Sequence, residues 1–240
     1  MKHGFSLIRT PVFQGQTAIR DFVPSDLGAS LLAYWNADRS DLITLNTNKV
    51  TSWKDTVNAY DAVQGTDAAR PTYANKSLTF DGTDDYLELA SQPFPTEHEI
   101  WTVFQQDATS GDGVTRILFS MGVSTNGRYI ARTTINQFHQ IVGNGTTWPT
   151  TTVTSPTITT RHLGRSRVTG SAEFLSVDGN AEVTKAVTPA APTTRVRIGV
   201  SSSSLAGFWT GKVRDIIVTN ALNSVQANQL QTYLLKRKVF

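Results

Sequence analysis

Few residues in this chain have the type and spacing to do chemistry. Glu97-His98-Glu99 places two carboxylates either side of an imidazole, at the entry to a strand-like run. Hydrolysis of a glycosidic bond needs two carboxyl groups flanking it, about 5–5.5 Å apart for retention or about 6.5–9.5 Å for inversion. No aspartate stands in place to complete such a pair on one strand, and Glu88, Glu173 and Glu182 are isolated. Asp81, Asp84 and Asp85 fall within five residues at a turn. Hard cations take oxygen ligands, so calcium is one reading of that cluster. The pattern is not that of an EF-hand, and aspartate at a tight turn has its own use, accepting hydrogen bonds from nearby backbone amides. His3, His98, His139 and His162 show no metal-ligand spacing and read as surface or packing residues. No serine sits in a nucleophile elbow, and no phosphate-cradling glycine pattern appears.

Sugar recognition asks for an exposed aromatic ring to stack on a pyranose face, with hydroxyls and amides around it. Trp148, beside Pro149 in a threonine-rich polar stretch, is the residue with that character, and it could equally anchor a protein interface. Trp35, Trp53, Trp101 and Trp209 lie within strand patterns and are expected in the core.

The elements that must position these residues read almost entirely as strands. Leu31–Asp38 opens the series; Val50–Trp53 follows, then a polar turn over Lys54–Asn58 and a corner at Arg70-Pro71. Asp81-Gly82 and Asn126-Gly127, each flanked by apolar alternation, are hairpin signals. Glu99–Gln105 is apolar on both faces, which predicts a central strand covered on both sides. Gln137–Val142 is another strand. Residues 143–160, rich in Thr with Pro149 and Pro156, predict an edge strand and an exposed loop. Arg161–Val168 and Ala172–Val177 read as a pair, turning at Asp178-Gly179-Asn180. Arg195–Val200 alternates, and Phe208–Thr219 is a long core strand. One helix is expected near the end, with Asn223 and Gln226 forming a capping box and Ala227, Leu230 and Leu234 on one face. Lys236, Arg237 and Lys238 suit its C-terminal dipole.

The run Leu32-Ala33-Tyr34-Trp35-Asn36-Ala37-Asp38, the Trp53-Lys54-Asp55 turn, Gln64 to Tyr73 and Phe80-Asp81-Gly82-Thr83-Asp84-Asp85-Tyr86 resemble the opening of LamG-like, concanavalin A-like jelly-roll domains. Phe208 to Val218 resembles the last core strand of that family, and Ala221-Leu222-Asn223 with Tyr233-Leu234 its closing helix. The resemblance covers about Leu27 to Phe240. It implies an all-β, antiparallel two-sheet sandwich with one C-terminal helix, of a kind common in bacteriophage virion and bacterial surface proteins. The laminarinase-like enzymes of this class carry Glu-x-Asp-x-(x)-Glu on one strand. Nothing here matches that pattern, so no enzyme is expected.

The chain has 240 residues, no cysteine and a net charge of +3. Its length and 39% hydrophobic content suit one sandwich domain. Disulfides, thiolate metal sites and cysteine nucleophiles are excluded together. No apolar run is long enough for a spanning helix, and Phe5 to Ile8 is too short and polar for a signal core, so no membrane partner is expected. Lys2, Arg9 and Arg20 carry the whole net charge, leaving the body neutral and without a basic stripe for nucleic acid.

Residues 1–26 fall outside the resemblance and read as an N-terminal arm, with residues 27–240 as the jelly roll. The arm holds Phe5, Leu7, Ile8, Phe13 and Phe22, with Arg9 and Arg20 between them, which suggests docking on a partner. Two functional classes follow. One is a non-enzymatic component of a phage-like particle (decoration, fibre or spike), with capsid or tail proteins and further copies of itself as partners, and host surface glycans as ligands. The other is an extracellular or bacterial cell-surface carbohydrate-binding module. Neither needs a cofactor beyond calcium at Asp81, Asp84 and Asp85.

Overall fold

The computed structural model describes residues 20–90, 94–107, 114–132, 137–154, 160–193 and 195–238. The strands run β1 (Leu31–Asn36), β2 (Ile43–Asn46), β3 (Lys49–Trp53), β4 (Ala62–Val63), β5 (Thr72–Ala74), β6 (Ser77–Asp81), β7 (Leu87–Leu89) and β8 (His98–Gln106). They continue with β9 (Arg116–Met121), β10 (Arg128–Arg132), β11 (Gln137–Val142), β12 (Thr150–Thr154), β13 (Arg161–Val168) and β14 (Ala172–Val177). Last come β15 (Val183–Ala186), β16 (Val196–Ile198), β17 (Thr210–Thr219) and, the one α-helix among the described residues, α1 (Ser224–Arg237).

Antiparallel pairing sorts the strands into two layers. In the first, β17 lies between β8 on one side and both β6 and β1 on the other, and β8 leads on through β13 and β14 to β15. In the second, β4, β7, β16, β9, β10, β11 and β12 follow one another, with β3 and β2 beyond β4. A lone Lys49–Thr72 pair links the layers at one edge, where β5 adjoins β6. Between them lies the main core, in which Trp35, Trp53, Phe80, Phe104, Phe119, Phe138, Trp209 and Ile216 are all buried. Phe104 sits at its centre, stacked on Phe138 at 4.8 Å and edge-on to Trp209 at 5.8 Å.

A second apolar layer explains why β8 is buried on both faces. Ile100 and Phe104 point into the sandwich, while Trp101 and Val103 point outward under α1. There they meet Ala227, Leu230 and Leu234 of the helix, with Leu27, Leu31, Leu163 and Ile217. The capping box forms as the sequence predicts. Asn223 Oδ1 accepts from the Gln226 amide at 2.9 Å, and Gln226 Oε1 accepts from the Asn223 amide at 3.3 Å. The other end of the helix is tied down by charge rather than left in solvent. Arg237 donates to both carboxylate oxygens of fully buried Asp215, at 2.8 and 2.9 Å, and to Asp38 and Asn36. Burial opposes the Arg237 charge, but Asp215 more than offsets this and holds its pKa above the ordinary value.

Two hairpin expectations change in detail. Asp81-Gly82 does not join paired strands, because β6 pairs with β5 and β17 while β7 pairs with β4 and β16. The turn carries the chain from one sheet to the other. Phe80 and Leu87 are both fully buried because opposite layers face one core, and local alternation does not distinguish that from a hairpin. Asn126-Gly127 does lie between the paired strands β9 and β10, but Gly127 has an ordinary φ of −86°. The primed hairpin is instead at Asp178-Gly179, with φ of 57° and 76° and Asn180 N donating to Val177 O at 3.1 Å.

The arm is corrected at its described end. Phe22 packs edge-on to Tyr233 at 6.3 Å and joins the layer under the helix, because Tyr233 leaves an apolar face uncovered beside it. Arg20 is ion-paired with Asp26 of its own chain. A 3-10 helix over Pro24–Ser30, with Pro24 and Leu27 buried, runs across the expected boundary at residue 26. Phe5, Leu7, Ile8, Arg9 and Phe13 lie outside the described residues. Because residues 1–19 fall outside the resemblance, their deletion is expected to leave the melting temperature unchanged. Deleting residues 1–24 strips Phe22 from the helix layer and removes the buried Pro24, and should cost about 2 kcal/mol, measurable by urea titration.

One end of the core is polar. Arg128, on the inner face of β10, lies 2.8 Å from the His98 ring, and fully buried Glu173 accepts from Thr151 Oγ1 at 2.6 Å. Burial pushes Glu173 up to about 7, despite that hydrogen bond. The folded state then holds a proton that the unfolded chain has lost between about pH 4.5 and 7, so stability from this group falls as pH rises through that window. Asp85 acts in the same direction, and His98, lowered to about 3 by burial and the Arg128 charge, acts oppositely. The difference between wild type and Glu173→Gln in stability against pH should isolate the Glu173 contribution. A difference that stays constant from pH 4.5 to 7 would show that Glu173 titrates normally.

Candidate functional site

The outer face of the second sheet carries an aromatic surface around Trp148. Strand parity builds it: Tyr129 on β10, Ile141 on β11 and Thr150 on β12 are in register across three neighbouring strands. Ile117 and Ala131 complete an apolar floor with Tyr129 and Ile141. The loop after β11 then folds back over this floor. Asn144 Oδ1 accepts from the amides of Thr146 and Thr147 at 3.0 and 2.7 Å, closing an Asx turn. Gly143 N donates to Gly127 O at 2.8 Å, and Gly145 N to Thr125 O at 3.0 Å, which pins the loop to the β9–β10 turn.

Trp148 is thereby laid against Tyr129, ring centroids 5.1 Å apart and planes tilted by 51°, with 37% of the residue exposed. A Cβ at Gly127 would sit 3.1 Å from the indole edge and 2.9 Å from the Tyr129 hydroxyl, so glycine lets both side chains approach this closely. Ile117, Tyr129, Ile141, Trp148, Thr150, Ser201 and Ser203 enclose a shallow groove of about 320 Å³. Tyr129 donates to Ser203 Oγ at 3.2 Å, and the Ser201 and Ser203 hydroxyls lie 2.9 Å apart. An aromatic face with hydroxyls along one side can stack on an apolar ring face while bonding that ring's own hydroxyls. Among the described residues no charged side chain lines the groove, which favours a neutral ligand.

The other predicted residues are placed differently. Asp81, Asp84 and Asp85 do converge, each offering an oxygen within 4.8 Å of the others. Two of them already serve the backbone. Asp81 Oδ1 accepts from the Thr83 and Asp84 amides at 2.8 and 3.4 Å, and Asp85 Oδ2 accepts from the Asp81 amide at 3.0 Å. Burial, then the neighbouring Asp81 and Asp84 charges, pushes Asp85 up to about 6. Calcium takes six to eight oxygens, and the donor set is compatible in type while partly committed to the turn.

Glu99 is fully buried and holds the chain ahead of α1, accepting from Arg165 at 3.0 Å and from the Leu222 amide at 3.0 Å. Glu88 pairs with Arg197, and Glu182 with Arg165 and Arg167. His98, His139 and His162 are all buried. Sequence reasoning singled out Trp148 but not Tyr129, Ser201 or Ser203, which the structure places beside it. Only the parity of β10, which turns Arg128 and Ile130 inward and Tyr129 outward, carried a signal for any of them.

No family model matches the sequence, and no curated protein sequence matches it. Solved structures do. Domain 4 of an extracellular GH43 arabinanase from Geobacillus stearothermophilus, in complex with arabinotriose, superposes with a TM-score of 0.60 at 14% identity, over 85% of this chain and 98% of that one. Trypanosoma rangeli sialidase gives 0.57 at 15% identity, over 88% of this chain and 33% of that one. Mouse laminin α1 chain, LG domains 4 and 5, gives 0.50 at 19% identity, over 62% and 42%. The fold is a LamG-like, concanavalin A-like jelly roll. This chain spans less than half of the laminin and sialidase chains and nearly all of the arabinanase domain. At these identities the likeness is one of fold.

Proposed function

We propose that this jelly roll is a non-enzymatic carbohydrate-binding module that takes a neutral saccharide in the Trp148 groove. The observation that carries the reading is the pinned Trp148–Tyr129 pair beside the Ser201–Ser203 hydroxyls. The arabinanase domain of the same fold, whose structure is with arabinotriose, supports it. Calorimetric titration with neutral oligosaccharides, arabinan and glucan fragments among them, should give saturable binding with no new reducing ends after prolonged incubation. Steady release of reducing ends, abolished by Glu97→Gln, would replace the module with an enzyme.

The setting we favour is a phage-like particle, as a decoration, fibre or spike component docked through residues 1–19, whose apolar and basic content suits a partner surface. An extracellular or bacterial cell-surface module would use the same groove. The chain lacking residues 1–19 should bind saccharide normally but fail to join its particle; full incorporation would remove the docking role. The Asp81, Asp84, Asp85 cluster is assigned to the turn. Millimolar calcium should leave the melting temperature where it was, and a rise abolished by Asp84→Asn would make the cluster a metal site.

A further inference from the structure

The hydroxyl side of the Trp148 groove is carried by a segment with no strand of its own. Ser201 and Ser203 belong to the stretch between β16 and β17, where Ser203 to Ala206 are all exposed. Ordering a loop when a ligand binds subtracts from affinity, so serine hydroxyls serve a ligand best when the backbone beneath them is already held. The chain supplies that hold a few residues earlier. Arg195 and Arg197 stand two apart in extended chain at β16, so both project to the same side of the sheet.

Arg197 is buried, in register with Glu88 of β7 on one side and Ser120 of β9 on the other. Its Nε donates to Glu88 Oε2 at 2.9 Å, and its Nη1 donates to Ser201 O at 3.0 Å. Arg195 repeats the arrangement one carbonyl further on. Its Nε lies 3.7 Å from Glu88 Oε1, and its Nη1 donates to Ser202 O at 3.4 Å. One carboxylate therefore fixes two guanidiniums, and these fix two successive carbonyls. The Arg197 guanidinium also lies over the Tyr86 ring, 5.4 Å from its centre, which limits its swing. Shorter ties complete the hold: Ser120 Oγ donates to Val200 O at 2.7 Å, Ser202 Oγ donates to Gly122 O, and Ser203 N donates to Ser201 Oγ at 3.3 Å. With the peptide planes on both sides of Ser202 set, the Ser201 and Ser203 side chains leave the backbone in fixed directions. Ser203 Oγ then meets the Tyr129 hydroxyl at 3.2 Å.

We propose that Glu88, Arg195 and Arg197 are positioning residues of the Trp148 groove, setting the Ser201–Ser203 backbone before a saccharide arrives so that the serine hydroxyls meet it in one orientation. The ligand part of this assignment rests on the neutral-saccharide reading above; the hold on the serines does not. None of the three is among the described residues lining the groove, so they act through the serines. Arginine suits position 197 because a planar guanidinium offers separate nitrogens to Glu88 and to the Ser201 carbonyl. Lysine brings one nitrogen on a flexible stem and cannot reproduce that fork. The Glu88 side chain is 35% exposed, so water screens the pair, and its effect on binding is smaller than that of the aromatic anchor.

The test compares the full chain with Arg197→Lys and Glu88→Ala, titrated with neutral arabinan and glucan trisaccharides. Each variant should weaken binding about fivefold, the scale of one neutral hydrogen bond or one screened ion pair. The Trp148 indole signal should still move and saturate in both, since the stacking face is untouched. Without ligand, amide hydrogen exchange at Ser201 and Ser203 should quicken in both variants while the Tyr129 and Ile141 amides keep their wild-type rates. Ser203→Ala should also weaken binding about fivefold. Combined with Arg197→Lys it should cost less than the product of the two single effects, because both act on the same contact. Unchanged binding in Arg197→Lys and Glu88→Ala, with Trp148→Ala still weakening it, overturns the positioning role and leaves the saccharide reading standing. Effects of Arg197→Lys and Ser203→Ala that simply multiply overturn it too, since the arginine then acts elsewhere. Failure of wild type to bind any of the trisaccharides overturns the saccharide reading and the ligand part of this assignment. Exchange rates at Ser201 and Ser203 that match wild type overturn the hold on the serines, whatever the ligand does.

Discussion

Arg237→Ala is expected to lower the stability of the domain by about 3–5 kcal/mol. Asp215 is fully buried on the face of β17 that α1 covers, and Arg237 supplies two of its hydrogen bonds; Tyr34 Oη supplies a third at 3.0 Å. Removing the guanidinium leaves a buried carboxylate with one donor, and that desolvation cost is the bulk of the effect. Asp38 and Asn36 lose a partner in the same step, though Arg214 still holds Asp38 through two nitrogens, at 2.9 and 3.0 Å. The Arg237 carbonyl also accepts from Arg214, so the helix end and the sheet are tied in both directions. Urea titration should show the loss as a lower midpoint. The double variant Arg237→Ala with Asp215→Asn should recover part of it, since the stranded charge is then gone. An Arg237→Ala protein within about 0.5 kcal/mol of wild type, the range of ordinary surface substitutions, would mean the network is solvated and contributes little.

Trp148→Ala is expected to weaken neutral saccharide binding by about 2 kcal/mol, or about thirtyfold in Kd, the scale of a buried aromatic anchor in an interface. The ring is the exposed wall of the groove, and its removal leaves only the Tyr129 floor and the hydroxyls. Stability should change little, because the indole lies outside the main core and is partly exposed already. Gly127→Ala offers an independent version of the experiment. It leaves every groove side chain present but pushes a methyl to 3.1 Å from the indole edge. Weaker binding in both variants, with melting temperatures near wild type, is the expected pair of results. Unchanged binding in both would move the saccharide to another surface.

Much of the architecture was legible because it rests on local rules. The capping box at Asn223 and Gln226, the two-sided burial of β8 and the edge character of the Thr-rich stretch each follow from a few adjacent residues. All four strand tryptophans are fully buried, and Trp148 is the exposed one. What stayed hidden depends on partners distant in sequence. Arg237 read as a cation suiting a helix dipole, and only the fold brings it to Asp38 and Asp215, 199 and 22 positions away. Asp81-Gly82 read as a hairpin because alternation reports which side chains face inward, and both sheets share one inside. Tyr129, Ser201 and Ser203 come from separate segments and meet only when β9, β10 and β16 lie side by side. Phe22 carried no clue that Tyr233 would receive it.

The central claim, a saccharide stacked on Trp148, is tested most directly by the indole N–H signals of the five tryptophans during a titration with neutral oligosaccharide. Trp35, Trp53, Trp101 and Trp209 are fully buried and should hold their positions, while the Trp148 signal moves and saturates with the same Kd that calorimetry gives. A titration in which calorimetry shows binding while the Trp148 signal stays fixed would contradict the account.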